Sequence, residues 1–145
     1  VLKEIRTKKY EIKKIEDGKI LIGMEVGTTI EEIKESLEND ENTIKIYEEG
    51  KEIEGTEEVK TGQEIKLEIE GTIYDEAKIV LRGDIDGDGL ITIMDENKII
   101  LHILNKEIIT DYKTYAADVT QDGIINIQDD TQIIKYILNK ITTLN

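Results

Sequence analysis

Short apolar runs and alternating apolar and polar residues recur through the first part of the chain, a pattern typical of β-strands. Glycines lie between many of these segments, where they favour turns. The predicted strands are residues 10–12, 19–24, 43–47, 65–69 and 77–81, with turns at Gly18, Gly50, Gly62 and Gly71. Strands therefore dominate the prediction for residues 1–82.

One helix is predicted among these strands, at residues 30–37, where apolar residues are spaced three and four apart. Thr29 and Glu32 have the spacing of a capping box, which satisfies free backbone N–H groups at a helix start. Two strands, a helix and further strands predict an α+β domain of β-grasp-like type at residues 1–82. An immunoglobulin-like β-sandwich is the alternative if this segment forms only a turn.

The pattern changes after residue 82, where a unit of polar loop and amphipathic helix occurs twice. Residues 84–106 have the sequence DIDGDGLITIMDENKIILHILNK, and residues 118–140, 34 positions later, have the sequence DVTQDGIINIQDDTQIIKYILNK. Twelve of the 23 aligned residues are identical, including loop aspartates, a loop glycine and the closing ILNK. Apolar residues spaced three and four apart after each loop predict a helix with one buried face. The sequence therefore predicts a small, separate all-α domain at residues 83–145.

The first loop has the oxygen-bearing side chains that a calcium ion needs. Calcium is a hard cation that takes about six to eight oxygen ligands. Four aspartates can supply carboxylates, position seven a backbone carbonyl, and the threonine at position nine a bound water, while Gly89 permits the sharp turn. The candidate ligands are Asp84, Asp86, Asp88, Leu90, Thr92 and Asp95.

The second loop repeats this scheme with one change, Thr120 in place of an aspartate at position three. It offers three carboxylates where the first loop offers four, so we expect the second site to bind calcium more weakly. Its candidate ligands are Asp118, Thr120, Asp122, Ile124, Asn126 and Asp129.

Both loops depart from ordinary helix-loop-helix calcium sensors. Position twelve is Asp95 or Asp129 instead of glutamate, and the strand-like segment before Asp84 has no helix start signal, so each unit is predicted to lack an entering helix. With the GDIDGDG opening and the duplicated ILNK, residues 82–144 resemble the dockerin family, calcium-binding modules that attach secreted enzymes and adhesins to cohesin domains. The resemblance implies two calcium ions and a cohesin partner. Residues 1–82 resemble, in size and position, the X-modules that precede some dockerins, which implies a structural spacer.

The helices carry more apolar side chains than one small core can cover. Ile99, Ile100 and Leu101 are consecutive, and at about 100° per residue they point in three directions. Such side chains either pack against the rest of the chain or form a docking face. The resemblance implies docking, because positions ten, eleven, seventeen, eighteen and twenty-two of each dockerin repeat carry cohesin recognition. These positions are Ile93, Met94, Ile100, Leu101 and Asn105 in the first repeat and Ile127, Gln128, Ile134, Lys135 and Asn139 in the second.

The two candidate faces are unequal. Met94 of the first repeat corresponds to Gln128, and Leu101 corresponds to Lys135, so the first face is more apolar. Dockerins with near-identical repeats can bind a cohesin in two orientations. Here we expect one preferred orientation, through the first repeat.

The composition of the chain argues against some classes of partner and bears on the cellular compartment. The 145 residues carry a formal net charge of −14, which argues against nucleic acid and anionic membrane surfaces as partners. There is no cysteine for a disulfide or a thiolate metal site, and no apolar run long enough to insert into a membrane. No signal peptide or initiating methionine opens the chain at Val1, so we expect a fragment of a longer secreted or cell-surface protein.

Functions from three classes follow from these observations. The leading hypothesis is a calcium-dependent module that docks a secreted or cell-surface protein onto a cohesin of a multienzyme, cellulosome-like or adhesin complex. A calcium-stabilised structural or stalk module without a cohesin partner is the alternative. An enzyme is not expected, because no nucleophile–base pair or cofactor loop is visible. The glutamates that would be needed for glycoside hydrolysis mostly alternate with lysines, as on a solvated face.

Overall fold

Six strands form one mixed β-sheet in the computed structural model, which describes residues 1–145. Four short helices and one 3-10 turn at Glu41–Thr43 accompany the sheet. The strands are β1 (Glu11–Ile15), β2 (Gly18–Ile22), β3 (Ile44–Glu48), β4 (Lys51–Ile53), β5 (Glu64–Ile69) and β6 (Thr72–Val80). The helices are α1 (Ile30–Glu35), α2 (Ile93–Ile103), α3 (Lys113–Ala117) and α4 (Ile127–Ile137). None of these helices combines the length and the apolar character needed to cross a membrane.

The sheet places β2 and β6 side by side in its interior. The strand order from edge to edge is β1-β2-β6-β5-β3-β4. β2 and β6 are parallel, and every other neighbouring pair is antiparallel. Because β6 ends at Val80, the chain leaves the interior of the sheet only a few residues before Asp84. The sheet therefore positions the start of the first loop.

Both faces of the sheet are apolar at β2 and β6, and both faces are covered. Successive residues of a strand point to opposite faces. Leu21 and Ile79 lie in one core together with residues of α1. Ile20, Ile22 and Val80 lie in a second core together with residues of α2, α3 and α4. The loop-helix units are therefore the cover of one sheet face.

The prediction of a separate all-α domain is wrong. The second core joins Ile20 and Val80 of the sheet to Ile99 of α2 and Ile133 of α4, all fully buried. A strand that is apolar on both sides needs cover on both sides, so α2 and α4 complete the sheet. Neither a β-grasp-like nor an immunoglobulin-like domain followed by an independent dockerin describes this arrangement. The boundary between residues 82 and 83 stays a prediction.

Local elements follow the sequence pattern more closely. The helix at α1 is confirmed, with its capping box between Thr29 and Glu32. The pattern does not predict β4 or the first half of β6, because most of their residues are exposed and show no buried alternation. The second loop is entered from α3, so the prediction that neither loop has an entering helix is correct only for the first.

Candidate metal centre

Four aspartates of the first loop converge on one point. One carboxylate oxygen from each of Asp84, Asp86, Asp88 and Asp95 lies within 4.8 Å of the other three. The end of β6 leads the chain to the first of these residues, and α2 carries the last in its first turn. The structure thus brings together the four carboxylates that the sequence predicts as ligands.

Asp84 is fully buried, and four backbone N–H groups hold its carboxylate. Gly87 and Asp88 each donate to Oδ1 at 3.1 Å, while Gly89 donates to Oδ2 at 3.0 Å. The fourth donor is the N–H of Thr61, 2.9 Å from Oδ2. Three donors belong to the loop, but Thr61 belongs to the segment before β5. The orientation of this carboxylate therefore depends on the loop and on the sheet.

Asp95 closes the loop from the start of α2. Its Oδ1 accepts the N–H groups of Ile85 at 2.8 Å and Asp86 at 3.0 Å, and its Oδ2 accepts the N–H of Thr92 at 2.9 Å. Thr92 is the N-cap of α2, and its side chain accepts the N–H of Met94. One aspartate thus both lines the acidic cluster and caps the helix, so the loop and α2 form one unit.

The second loop assembles a similar but smaller cluster. Carboxylate oxygens of Asp118, Asp122 and Asp129 lie within 4.8 Å of one another. The hydroxyl of Thr120 donates to Asp129 Oδ1 at 3.0 Å and to Asp118 Oδ1 at 3.4 Å. Asn126 caps α4, and its N–H donates to Asp129 Oδ2 at 2.9 Å. Thr120 therefore lies among the candidate ligands, and this cluster has one carboxylate fewer.

The remaining candidate ligands are Leu90, Thr92, Ile124 and Asn126, and their part in binding stays a prediction. Leu90 and Ile124 have hydrocarbon side chains without a ligand atom, so only their backbone carbonyls could bind a metal. Their N–H groups donate to the position-five carboxylates at 2.9 and 3.1 Å. The side chains of Thr92 and Asn126 accept helix N–H groups, and the water expected at position nine stays a prediction.

The donors of both clusters fit calcium. Each aspartate of the two clusters offers a carboxylate oxygen, the kind of ligand that a hard cation prefers. In the first cluster, burial raises the pKa of both Asp84 and Asp95 to about 7, and the charges of neighbouring aspartates act in the same direction. Buried carboxylates that repel one another are stabilised by a bound cation. Asp84, Asp86, Asp88 and Asp95 would hold one ion, and Asp118, Asp122 and Asp129 a second.

We expect calcium binding at the first cluster to weaken as the pH falls below about 7, because Asp84 and Asp95 must lose protons to bind the ion. A raised pKa means that the metal-free fold retains these protons in mildly acidic solution. For each proton that binding must release, the apparent calcium affinity falls about tenfold for every unit by which the pH is lowered below the pKa. Calorimetry at about pH 5.5 and pH 7.5 would measure this dependence.

Asp122 of the second cluster provides the comparison for this pH effect. The pKa of Asp122 is lowered, chiefly because the N–H of Ile124 donates to its carboxylate. This carboxylate is therefore ionised at both pH values. Equal first-site affinities at the two pH values would contradict the prediction.

The predicted docking residues lie on α2 and α4 or just after them, mostly at the surface. Ile93 and Met94, at the start of α2, are 62% and 58% exposed. Ile100 and Leu101 are half-buried, whereas Ile99 is fully buried in the second core. The apolar residues of α2 thus divide between the core and the surface. The other exposed members of the two predicted faces are Asn105, Ile127, Gln128, Ile134, Lys135 and Asn139.

Two contacts at the site have no sequence signal. Thr61 reaches Asp84 across 23 positions of sequence. Asp130 of α4 is buried close to Glu96 of α2. Its pKa is raised to about 6, chiefly by burial and also by the hydrogen bond and the charge of Glu96. Each contact joins residues that are distant in the sequence, so only the packing of the chain reveals it.

Comparison with known families supports a dockerin domain in the second part of the chain. Residues 82–138 match the family model of the dockerin type I domain, a stretch that contains both acidic clusters and both α2 and α4. Dockerin domains bind calcium, are non-catalytic, and have cohesins as their general partners. The match covers less than half of the chain, so the similarity of the first 82 residues to an X-module stays a prediction. No curated protein matches this chain.

Proposed function

We propose that this chain is a calcium-dependent docking module, in which residues 83–145 bind two calcium ions and a cohesin. The sheet formed by residues 1–82 is its structural spacer. The observation that carries this proposal is the repeated pairing of an acidic cluster with a helix that begins with exposed side chains, within the stretch that matches the dockerin model. Dockerin-bearing proteins are typically secreted or on the cell surface, where calcium is abundant.

Calcium would control docking through the start of each helix. Asp95 and Asp129 are candidate ligands, and each also accepts the N–H of a helix N-cap. A bound ion therefore orders the loop and the first helical turn together. In the first repeat this turn carries Ile93 and Met94, both more than half exposed. Exposed apolar groups of this kind commonly mark interfaces.

The two faces support one preferred docking orientation. The first repeat presents Ile93 and Met94 where the second presents Ile127 and Gln128, all of them exposed. The first face therefore has more apolar surface to bury against a partner. The orientation that uses the first repeat is the one that we propose.

A structural module without a cohesin is the second candidate function. The second core, shared between the sheet and the helices, favours it, because a calcium-filled loop would then stabilise the whole chain. The last residues add to this packing. Leu144 is buried, and the Nδ2 group of Asn145 donates to Met24 O at 2.9 Å. A stalk or clamp of a cell-surface protein would use such rigidity.

An affinity experiment distinguishes the two candidates. We expect the immobilised chain to retain a cohesin-bearing protein from the secreted proteins of the source organism in calcium, and to release it on addition of a chelator. A variant with both Asp84→Asn and Asp118→Asn, which weakens both sites, is the matched control. Calorimetry with the purified cohesin would then give the affinity. Full calcium uptake without any calcium-dependent partner would contradict docking and favour the structural role.

A further inference from the structure

The segment of residues 59–63, between β4 and β5, lies against the first metal loop; we call it the sheet loop. Its position is set by β6, because the N–H of Gly62 donates to Ile79 O at 2.9 Å. The hydroxyl of Thr61 accepts the N–H of Leu81 at 2.9 Å and donates to Leu81 O at 3.2 Å. The N–H of Thr61 is thereby aimed at Asp84 Oδ2, 2.9 Å away. The sheet loop is thus anchored to the sheet on one side and to a candidate metal ligand on the other.

The first metal loop lies so close to the sheet loop that there is no room for a side chain at Gly87 or Gly89. A Cβ atom on Gly87 would lie 2.9 Å from Thr61 O, and one on Gly89 would lie 3.0 Å from Val59 O. Both contacts are to backbone oxygens, which cannot rotate away. The two glycines also have positive φ, +78° and +84°, so a side chain would be unfavourable in conformation as well as in space. This close approach keeps the first loop and the sheet loop in register.

The second metal loop has no comparable contact. The donors to the Asp118 carboxylate are Thr120, Asp122 and Gly123, all from the same loop. A Cβ atom on Gly123 would meet nothing within 4 Å. Position four, which is Gly87 in the first repeat, is the exposed Gln121. The two repeats therefore differ in sequence at a position where only the first repeat touches the sheet.

We propose that the sheet loop completes the first calcium site, with Thr61 as a positioning residue for Asp84, while the second site has no such positioning residue from the sheet. This inference rests on the proposed calcium binding and does not depend on a cohesin. A carboxylate that is already oriented loses less freedom when it binds an ion, so the sheet loop raises the affinity of the first loop. Because linkage is reciprocal, calcium in the first loop stabilises the sheet by the same factor.

Two alanine variants at the same loop position test the proposal. Gly89 and Gly123 both occupy position six and both have a φ of +84°, so Gly89→Ala and Gly123→Ala share the same backbone strain. Only the alanine at 89 would press on the sheet loop. We expect Gly89→Ala to weaken the first site by about tenfold more than Gly123→Ala weakens the second, measured by two-site calcium calorimetry.

Amide hydrogen exchange of the unaltered chain is the second measurement, because it does not depend on a variant that folds. Filling the first site should slow exchange of the Thr61 N–H, since that group donates to Asp84. The protection should remain in Gly123→Ala and decrease in Gly89→Ala. Equal affinity losses in the two variants, or Thr61 exchange that calcium does not change, would overturn the proposal. A chain that takes up no calcium would instead overturn the proposed function itself.

Discussion

Removing calcium is expected to lower the melting temperature of this chain by about 15 °C and to loosen the sheet as well as the helices. Calcium at about 100 times its Kd adds about 2.7 kcal/mol per site to the free energy of unfolding, so two sites add about 5 kcal/mol. For a chain of this size, each kcal/mol shifts the melting temperature by about 3 °C. Residues 83–145 carry 11 acidic and 5 basic side chains, so without metal the carboxylates of the two loops repel one another. Because the helices share the second core with β2 and β6, their disorder exposes one face of the sheet.

Differential scanning calorimetry in calcium and in chelator would measure this change, and amide exchange would locate it. Magnesium is the matched control ion, because it requires a smaller octahedral shell and keeps several of its waters. We expect magnesium to restore little of the lost stability. An unchanged melting temperature in chelator would contradict calcium stabilisation. If the helices unfolded in chelator while the amides of Ile20 and Val80 stayed equally protected from exchange, the shared core would be contradicted.

Replacing Ile93 and Met94 together with aspartate is expected to reduce cohesin affinity at least about 100-fold while the fold stays intact. Burial of an apolar side chain of this size contributes about 1.5–3 kcal/mol, and the new charges must also lose water at the interface. The fold should tolerate the change because both side chains are more than half exposed. Both residues also lie in the first turn of α2, where the helix dipole favours negative charge. Calorimetry with the cohesin would measure the loss.

The second repeat offers a control at the same two positions, Ile127→Asp with Gln128→Asp. We expect this control to cost only a few-fold in affinity, because the preferred orientation uses the first repeat. Equal losses in the two variants would show that both faces contribute. Intact binding of the Ile93 and Met94 variant, with loss in the control, would show docking through α4. Melting curves in calcium, within a few degrees of the unaltered chain, would show that both variants fold.

Much of the candidate metal centre could be predicted because its parts lie close together in sequence. Asp84 and Asp95 are eleven positions apart, and the spacing between them encodes the turn, the carboxylates and the helix cap. The capping box of Thr29 and Glu32 is local in the same sense, and the structure confirms it. Such features depend on neighbouring residues and on backbone geometry, so one sequence is enough to predict them.

The packing of the helices on the sheet could not be predicted in the same way. The apolar runs at β2 and β6 indicate strands, and their unbroken character is also typical of strands covered on both faces. The sequences of those strands do not indicate which element packs on the second face of the sheet. Ile20 and Val80 share the second core with Ile99 and Ile133, which lie at least 19 positions further along the chain. The sequence pattern therefore predicts a separate all-α domain, whereas in the structure the helices pack on the sheet.

The sequence by itself determined the two acidic loops, the order of their aspartates and the helix that follows each loop, because short-range spacing and capping specify them. Only the tertiary structure decided that the helices cover the sheet, that the N–H of Thr61 holds Asp84, and that Gly87 and Gly89 lie against backbone oxygens while Gly123 lies in open space. These are contacts between segments that the chain brings together only on folding. The two loops are alike in sequence, but only the first has a carboxylate that accepts an N–H group from the segment before β5.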